Sequence, residues 1–238
     1  HRGNYTMDLI FEGIWQAIVL LCTLDPETVS ITLLSLQISG AATLISLAIG
    51  MTAGIGLALA DFPGRRFLIS MINTGMGLPP VVVGLFVYLL MSRSGPLGSL
   101  GWLFTPYAMI FAQILIALPM MIGLTMTSVE SVSPELRRQV LALGATRSQL
   151  AWTVLREARI GVVAAIVAAF GGVISEVGAV MLVGGNIEGK TRVLTTAIVL
   201  NTRTGEFSLA LALGIILLSL AFVANVAMLR LQGMTNDE

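Results

Sequence analysis

The chain has little charge, one cysteine and one histidine in 238 residues. Asp, Glu, Lys and Arg make up 11% of it. Soluble domains carry about 25%, so an ordinary water-soluble globule is excluded. A lone Cys22 excludes an internal disulfide and any multi-cysteine metal site. With His1 the sole histidine, neither a histidine-ligated metal nor histidine acid–base chemistry is expected. Cations and anions balance at 13 each, which argues against nucleic acid as a partner. No basic region followed by a short apolar run and a small-residue cleavage site opens the sequence, so no cleavable signal is expected, and residues 1–6 read as a tail.

What is present is apolar. Hydrophobic residues make up 56% and the mean hydropathy is +0.92. Residues 28–60, 67–92, 94–129 and 207–229 contain no charged side chain. Each stretch exceeds the ~20 residues that cross a ~30 Å hydrocarbon core. A fifth, 160–183, is interrupted only by Glu176. These runs predict an all-α polytopic membrane protein with five transmembrane helices in one domain over residues 28–231. Segment 9–24 holds Glu12, Trp15 and Gln16 and suits a short N-terminal interfacial helix better than a span. Residues 1–27 then form tail and interfacial helix, and 232–238 a cytoplasmic tail.

The cations are unevenly placed. Arg65, Arg66, Arg137, Arg138, Arg147, Arg156, Arg159 and Arg230 fall on one side of the five-span scheme. Arg93, Lys190, Arg192 and Arg203 fall on the other. The positive-inside rule therefore puts the 130–159 loop and the C-terminus in the cytoplasm, and the N-terminal segment and the 184–206 loop outside. The spans themselves are punctuated. Asp25-Pro26-Glu27 opens the first, NTGMGLPP (73–80) breaks the second, and Pro106, Gln113 and Pro119 lie in the third. The fourth repeats small residues at Ala164, Ala168 and Gly172, and at Gly171, Ser175 and Ala179. That spacing predicts close helix packing.

Gly184-Gly185-Asn186-Ile187-Glu188-Gly189-Lys190-Thr191 matches a phosphate-loop pattern letter for letter. It nonetheless follows a membrane span, lies outside by the charge rule and has no cytosolic domain around it. Nucleotide binding is not expected there.

The 130–159 loop reads differently. Ser133-Pro134-Glu135 is a helix start, with a capping hydroxyl, Pro in the first turn and an acid at the positive dipole end. Leu136, Val140 and Leu143 fall on one apolar face. Gly144 is placed to end the helix in a left-handed conformation, and Ala145 leads to Thr146, which with Gln149 forms a capping box for a second helix. A solvated loop whose arginines only mark topology needs neither caps nor an apolar face, so this elbow reads as a docking element for a partner.

Here a family resemblance enters. Gly144 between two short helices, on a cytoplasmic loop before the last two spans, resembles the coupling loop of ABC-importer permeases. Arg138-Gln139-Val140 stands where that family usually shows Glu-Ala-Ala, and Val154-Leu155-Arg156-Glu157 replaces its later Ile-x-Leu-Pro. FPGRRF (62–67), GMGLPPVVVGLFVYLLMSRSGPLG (75–98) and MLVGGNIEGKTRVLTTAI (181–198) are similar to permeases of molybdate/tungstate oxyanion importers, closer in wording to the tungstate branch. The resemblance implies a type I ABC-importer permease (MetI-like) bundle that makes and breaks no bonds itself. It implies a homodimer, two copies of a separate cytoplasmic ABC ATPase carrying ATP and magnesium, and an extracytoplasmic oxyanion-binding protein. The docking set would be Pro134, Glu135, Leu136, Arg137, Arg138, Val140, Leu143, Gly144, Ala145 and Thr146, and the outer loop would contribute Asn186, Lys190, Thr191 and Arg192.

Two further expectations concern the membrane interior. No Lys or Arg lies in the spans, so an anion route must use backbone N–H groups, hydroxyls and helix N-termini. Asn73, Thr74, Gly75 and Gly77, beside Pro79 and Pro80, are the candidates, unless the break is simply a proline kink. Glu176 is expected to be hydrogen-bonded to its neighbours, since a bare carboxylate at depth is costly and repels a divalent anion. The other reading, a secondary transporter or channel working without ATP, needs a coupling charge in the membrane and has only Glu176.

Overall fold

The structure, a computed structural model, describes residues 2–234. Of the expected tails 1–6 and 232–238, residue 1 and residues 235–238 lie outside the described residues, while 2–6 and 232–234 are not tail but the ends of long helices. Among the described residues there are eleven α-helices, one short 3-10 turn and no strand. The first two helices are α1 (Arg2–Thr23) and α2 (Pro26–Leu59). Asp25 starts α2 as read: its Oδ2 accepts the Thr28 N–H at 2.9 Å and the Thr28 hydroxyl at 2.8 Å. These bonds satisfy an orphan donor of the first turn.

Helices α3 (Arg65–Met76) and α4 (Pro80–Met91) carry the second apolar run, with the break at Gly77-Leu78-Pro79. Helix α5 (Pro106–Glu130) tolerates Pro119 inside it. Then follow α6 (Pro134–Ala142), α7 (Arg147–Glu157), α8 (Arg159–Ile174), α9 (Gly178–Gly184), α10 (Leu194–Thr204) and α11 (Phe207–Met234). Three helices are long and apolar enough to cross a membrane, namely α2, α5 and residues Phe207–Met228 of α11. The count rises to five if each of the broken pairs α3 with α4 and α7 with α8 makes one span.

The chain divides into two compact units. One takes the stretches up to Ala41, Pro80–Gln113 and Ile174–Asn225. Its core gathers Ile31, Leu194, Ala197, Leu213 and Ile216, all buried. Helices α4 and α9 meet within it at Gly84, where an added Cβ would lie 2.5 Å from the Ala179 Cα. The other unit takes Ala42–Pro79, Ile114–Val173 and the chain from Val226. Its α2 segment rides on α5 because Gly54 has no side chain; a Cβ there would lie 2.8 Å from the Ile122 carbonyl oxygen. Ala117, Met121, Ala165, Ala169 and Val173 form one buried layer of this unit, and Val129, Val132, Val154 and Ala158 another.

Four expectations need correcting. The run 160–183 is not one helix: α8 stops at Ile174 and α9 begins at Gly178. The small row Ala164, Ala168, Gly172 is exposed, while the buried row is Ala165, Ala169, Val173, one position along. Two apolar stripes compete on so small-residued a helix, and the one with Val173 buries more surface. Helix α1 has 22 residues, longer than the 9–24 segment read from the sequence. The 184–206 stretch is not all loop, because α10 fills half of it with buried Leu194, Thr195, Thr196 and Ala197.

Candidate functional site

The elbow forms as its caps dictate. The Ser133 hydroxyl oxygen accepts the Leu136 N–H at 3.2 Å. Gly144 has φ +79, and the Ala145 N–H returns to the Val140 carbonyl at 3.3 Å, closing the helix end. Thr146 and Gln149 then exchange cap bonds, Thr146 N–H to the Gln149 side chain at 2.8 Å and Gln149 N–H to the Thr146 hydroxyl at 3.3 Å. Helix α7 turns into α8 through 71°.

The predicted apolar face divides. Leu136 packs with Leu150 against the buried layer of Val129, Val132, Val154 and Ala158. Leu143 instead points away and is 89% exposed, with Leu141 and Trp152 also exposed. The arginines divide as well. Arg137 donates to the Val129 carbonyl at the end of α5, Arg138 pairs with Glu135 at 2.9 Å, and Arg147 and Arg156 are exposed. Of the expected docking set, Leu136 and Arg137 therefore serve the chain's own packing. The outward surface is Leu141, Leu143 and Gly144 with the exposed arginines.

At the break between α3 and α4 the expected free donors are absent. The Gly75 amide lies inside α3, the Gly77 N–H bonds the Thr74 carbonyl at 3.1 Å, and the Thr74 hydroxyl bonds the Ser70 carbonyl at 2.8 Å. A helix C-terminus leaves carbonyls over, not N–H groups. Pro79 and Pro80 have no N–H to give. Asn73 is exposed.

The loop 184–191 is built for itself. The GAVMLVG stretch before it is helix α9. The Thr191 hydroxyl donates to the Gly184 carbonyl at 2.6 Å and accepts the Ile187 N–H at 2.9 Å. The N–H groups of Lys190, Thr191 and Arg192 all converge on the Ile187 carbonyl. Several of the groups a phosphate loop would offer are thus engaged within the loop itself. Asn186 takes a left-handed φ of 51 to make the turn. Arg192 Nη1 pairs with Glu27 at 3.2 Å and Glu188 at 3.4 Å, tying the loop to the start of α2. Exposed Lys190 stands with Ser30 and Gln37 on the wall of a 450 Å³ cavity beside that pair.

Glu176 sits at the break between α8 and α9. Its Oε1 accepts the Ala179 N–H at 2.9 Å, and its carbonyl accepts the Thr195 hydroxyl at 2.9 Å. It is hydrogen-bonded, as expected. Sequence reading missed the company it keeps: Ser35, Ser39, Gln113 and Thr195 share a cavity of about 10 Å³ with it, room for no more than one water. Those residues lie far apart in sequence, and only the fold gathers them.

Comparison with known proteins decides the family. The model of the "Binding-protein-dependent transport system inner membrane component" family matches residues 28–233. The chain belongs to this family. This inner-membrane component is 47% identical over 202 residues to a "Probable anion ABC transporter permease protein" of Haloferax volcanii, covering 83% of the chain and 87% of the relative. It is 39% identical over 226 residues to the "Tungstate uptake system permease protein TupB" of Peptoclostridium acidaminophilum, covering 95% and 99%. Among solved structures it resembles a chain of the "bacterial alginate ABC transporter in complex with alginate pentasaccharide-bound periplasmic protein". There the TM-score is 0.75 at 19% identity, covering 94% of this chain and 86% of that one. The last likeness is one of fold.

Proposed function

We propose that this chain is the permease subunit of an ATP-driven oxyanion importer, with tungstate as cargo and molybdate as the next choice. The elbow carries the reading. Two capped helices around a left-handed glycine hold Leu143 out at 89% exposure, a surface with no partner in its own chain among the described residues. An ABC ATPase is the partner such a surface fits. The cargo assignment is supported by relatives named for tungstate at 39% and 35% identity and for molybdenum at 31%. Two copies of the chain form the route and two ATPase subunits hold ATP and magnesium. An extracytoplasmic binding protein delivers the anion to the outer loop around Lys190 and Arg192.

Glu176 bears on the rival reading of a secondary transporter. Its Oε1 accepts the Ala179 N–H, which gives the side chain a structural role at the break between α8 and α9. An anion passing the break after α3 meets the Asn73 amide and not backbone donors. A neutral donor of this kind holds cargo weakly, so selectivity belongs to the binding protein. The test is uptake of tungstate, molybdate and sulfate into vesicles bearing the permease with its ATPase, the binding protein being exchanged between runs. ATP-dependent tungstate uptake that follows the binding protein supports the proposal. Uptake driven by a proton gradient without ATP hydrolysis refutes it.

A further inference from the structure

Two guanidinium groups occupy the cytoplasmic ends of helices in the second unit, and neither faces outward for a partner. Arg65 opens α3. Its Nε donates to the Leu57 carbonyl at 2.8 Å, one of the four left over at the end of α2. Its Nη2 bonds the Glu130 carboxylate at 2.5 Å, on the last residue of α5. Arg137, from the elbow helix α6, donates to the Val129 carbonyl one residue earlier in α5. A cation at a helix C-terminus also meets the negative end of the dipole. Beneath these contacts, Leu136 and Leu150 of the elbow and Ile55, Ala58 and Leu59 of α2 pack on the same buried layer of Val129, Val132, Val154 and Ala158.

We infer that Arg65 and Glu130 are positioning residues that lock the ends of α2 and α5 to each other, where both pack with the elbow on one buried layer, so that a push on Leu143 moves both helix ends as one body. The inference rests on the importer reading and adds the linkage by which the force leaves the elbow. Only arginine serves at position 65. Its planar fork reaches two acceptors in different directions at once, while a lysine ammonium on a flexible stem is a single point charge. The Arg65 side chain is about three-quarters buried and its Nε is held by the Leu57 carbonyl, while Glu130 keeps 40% exposure, so the pair is anchored from the arginine side. The inner positive charge that orients the protein survives in Arg65→Lys, so insertion is untouched.

The experiment uses the whole transporter, with permease, ATPase and binding protein in proteoliposomes, and counts tungstate moved per ATP hydrolysed. Arg65→Lys and Glu130→Gln are expected to keep the ATPase in the purified complex and to keep hydrolysis responsive to the loaded binding protein. The transport ratio is expected to fall at least about fivefold, the low end of ordinary coupling between sites. An unchanged ratio overturns the inference, and so does loss of the ATPase from the complex, which would make these residues part of the docking surface. Should Arg65→Lys fail to fold, Glu130→Gln decides alone, since it keeps the size of the side chain while removing the carboxylate charge that holds Arg65. Leu143→Ser is run alongside: if it does not weaken ATPase retention, the docking reading of the elbow fails, and that result is separate from the ratio measured for Arg65 and Glu130.

Discussion

At the scale of single residues, glycines make the sharpest predictions. Gly144 has φ +79 and open space around its missing Cβ. In Gly144→Leu the fold therefore bears only the left-handed backbone cost of ~1–2 kcal/mol, while a branched side chain is set on the outward face of the elbow. The variant should insert and fold, and lose ATPase retention and tungstate uptake. Gly205 is a fitting control, with φ +87 and equally open space, but at the end of α10. Normal uptake by Gly144→Leu, judged against Gly205→Leu, would remove the elbow from the docking surface. Gly84 is the opposite case. Its conformation is ordinary but a Cβ would sit 2.5 Å from Ala179 Cα and 3.0 Å from its Cβ. Forcing α4 off α9 in this way belongs to the overpacking class, about 1–3 kcal/mol. Gly84→Ala should lower the thermal midpoint of the detergent-solubilised protein without touching ATPase retention.

At the scale of elements, the start of α2 depends on Asp25. The bonds from the Thr28 N–H and then the Thr28 hydroxyl hold its carboxyl below the ordinary value of 3.8. A depressed folded-state pKa contributes stability that is present above 3.8 and lost as pH falls through the lower folded-state value. Asp25→Ala should therefore cost about 0.5–2 kcal/mol at neutral pH, as for other lost caps. The gap from the parent protein should shrink in melts taken below that range. A constant gap across pH would mean that the cap is not what the substitution removes. The same bookkeeping explains which elements were legible in the sequence. The elbow was readable because Ser133, Gly144, Thr146 and Gln149 each act within three or four residues of themselves. The break at Ser175-Glu176-Val177 was harder to read, because the carbonyl it frees is met by the Thr195 hydroxyl, nineteen residues on. Gly178 opens α9 directly after it and Glu176 accepts the Ala179 N–H three residues on, but neither signal stands out in a helix that already carries Gly171 and Gly172. Helix α10 had a local signal that went unused, Gly205 closing it with a left-handed turn after the apolar LTTAIVL. Arg137 looked like a docking cation because sequence cannot tell an outward side chain from one folded back onto the Val129 carbonyl.

At the scale of the whole molecule, orientation fixes which surface meets which partner, and it rests on where the arginines lie. With Leu143 89% exposed on the elbow and Lys190 exposed on the other loop, one cysteine at each gives a direct reading of sidedness. Cys22, the sole cysteine and an exposed one, is first replaced by serine. In that background Leu143→Cys should react with a membrane-impermeant maleimide only in inside-out vesicles, and Lys190→Cys only in right-side-out ones. The reverse pattern would put the elbow on the side that has no ATP and would end the importer reading. The same reagent tests the N-terminal helix. At 22 residues α1 is about 33 Å long, enough to cross, yet Asp8 and Glu12 stand exposed on it and favour the interface. Cys22, next to the junction with α2, is expected outside whether α1 crosses or lies flat, so its reaction checks only the start of α2. Met7 lies at the other end and is 54% exposed. Met7→Cys should label from outside if α1 lies on the outer interface, as the sequence predicts. Labelling from the cytoplasmic side alone would make α1 an additional span and place both ends of the chain inside.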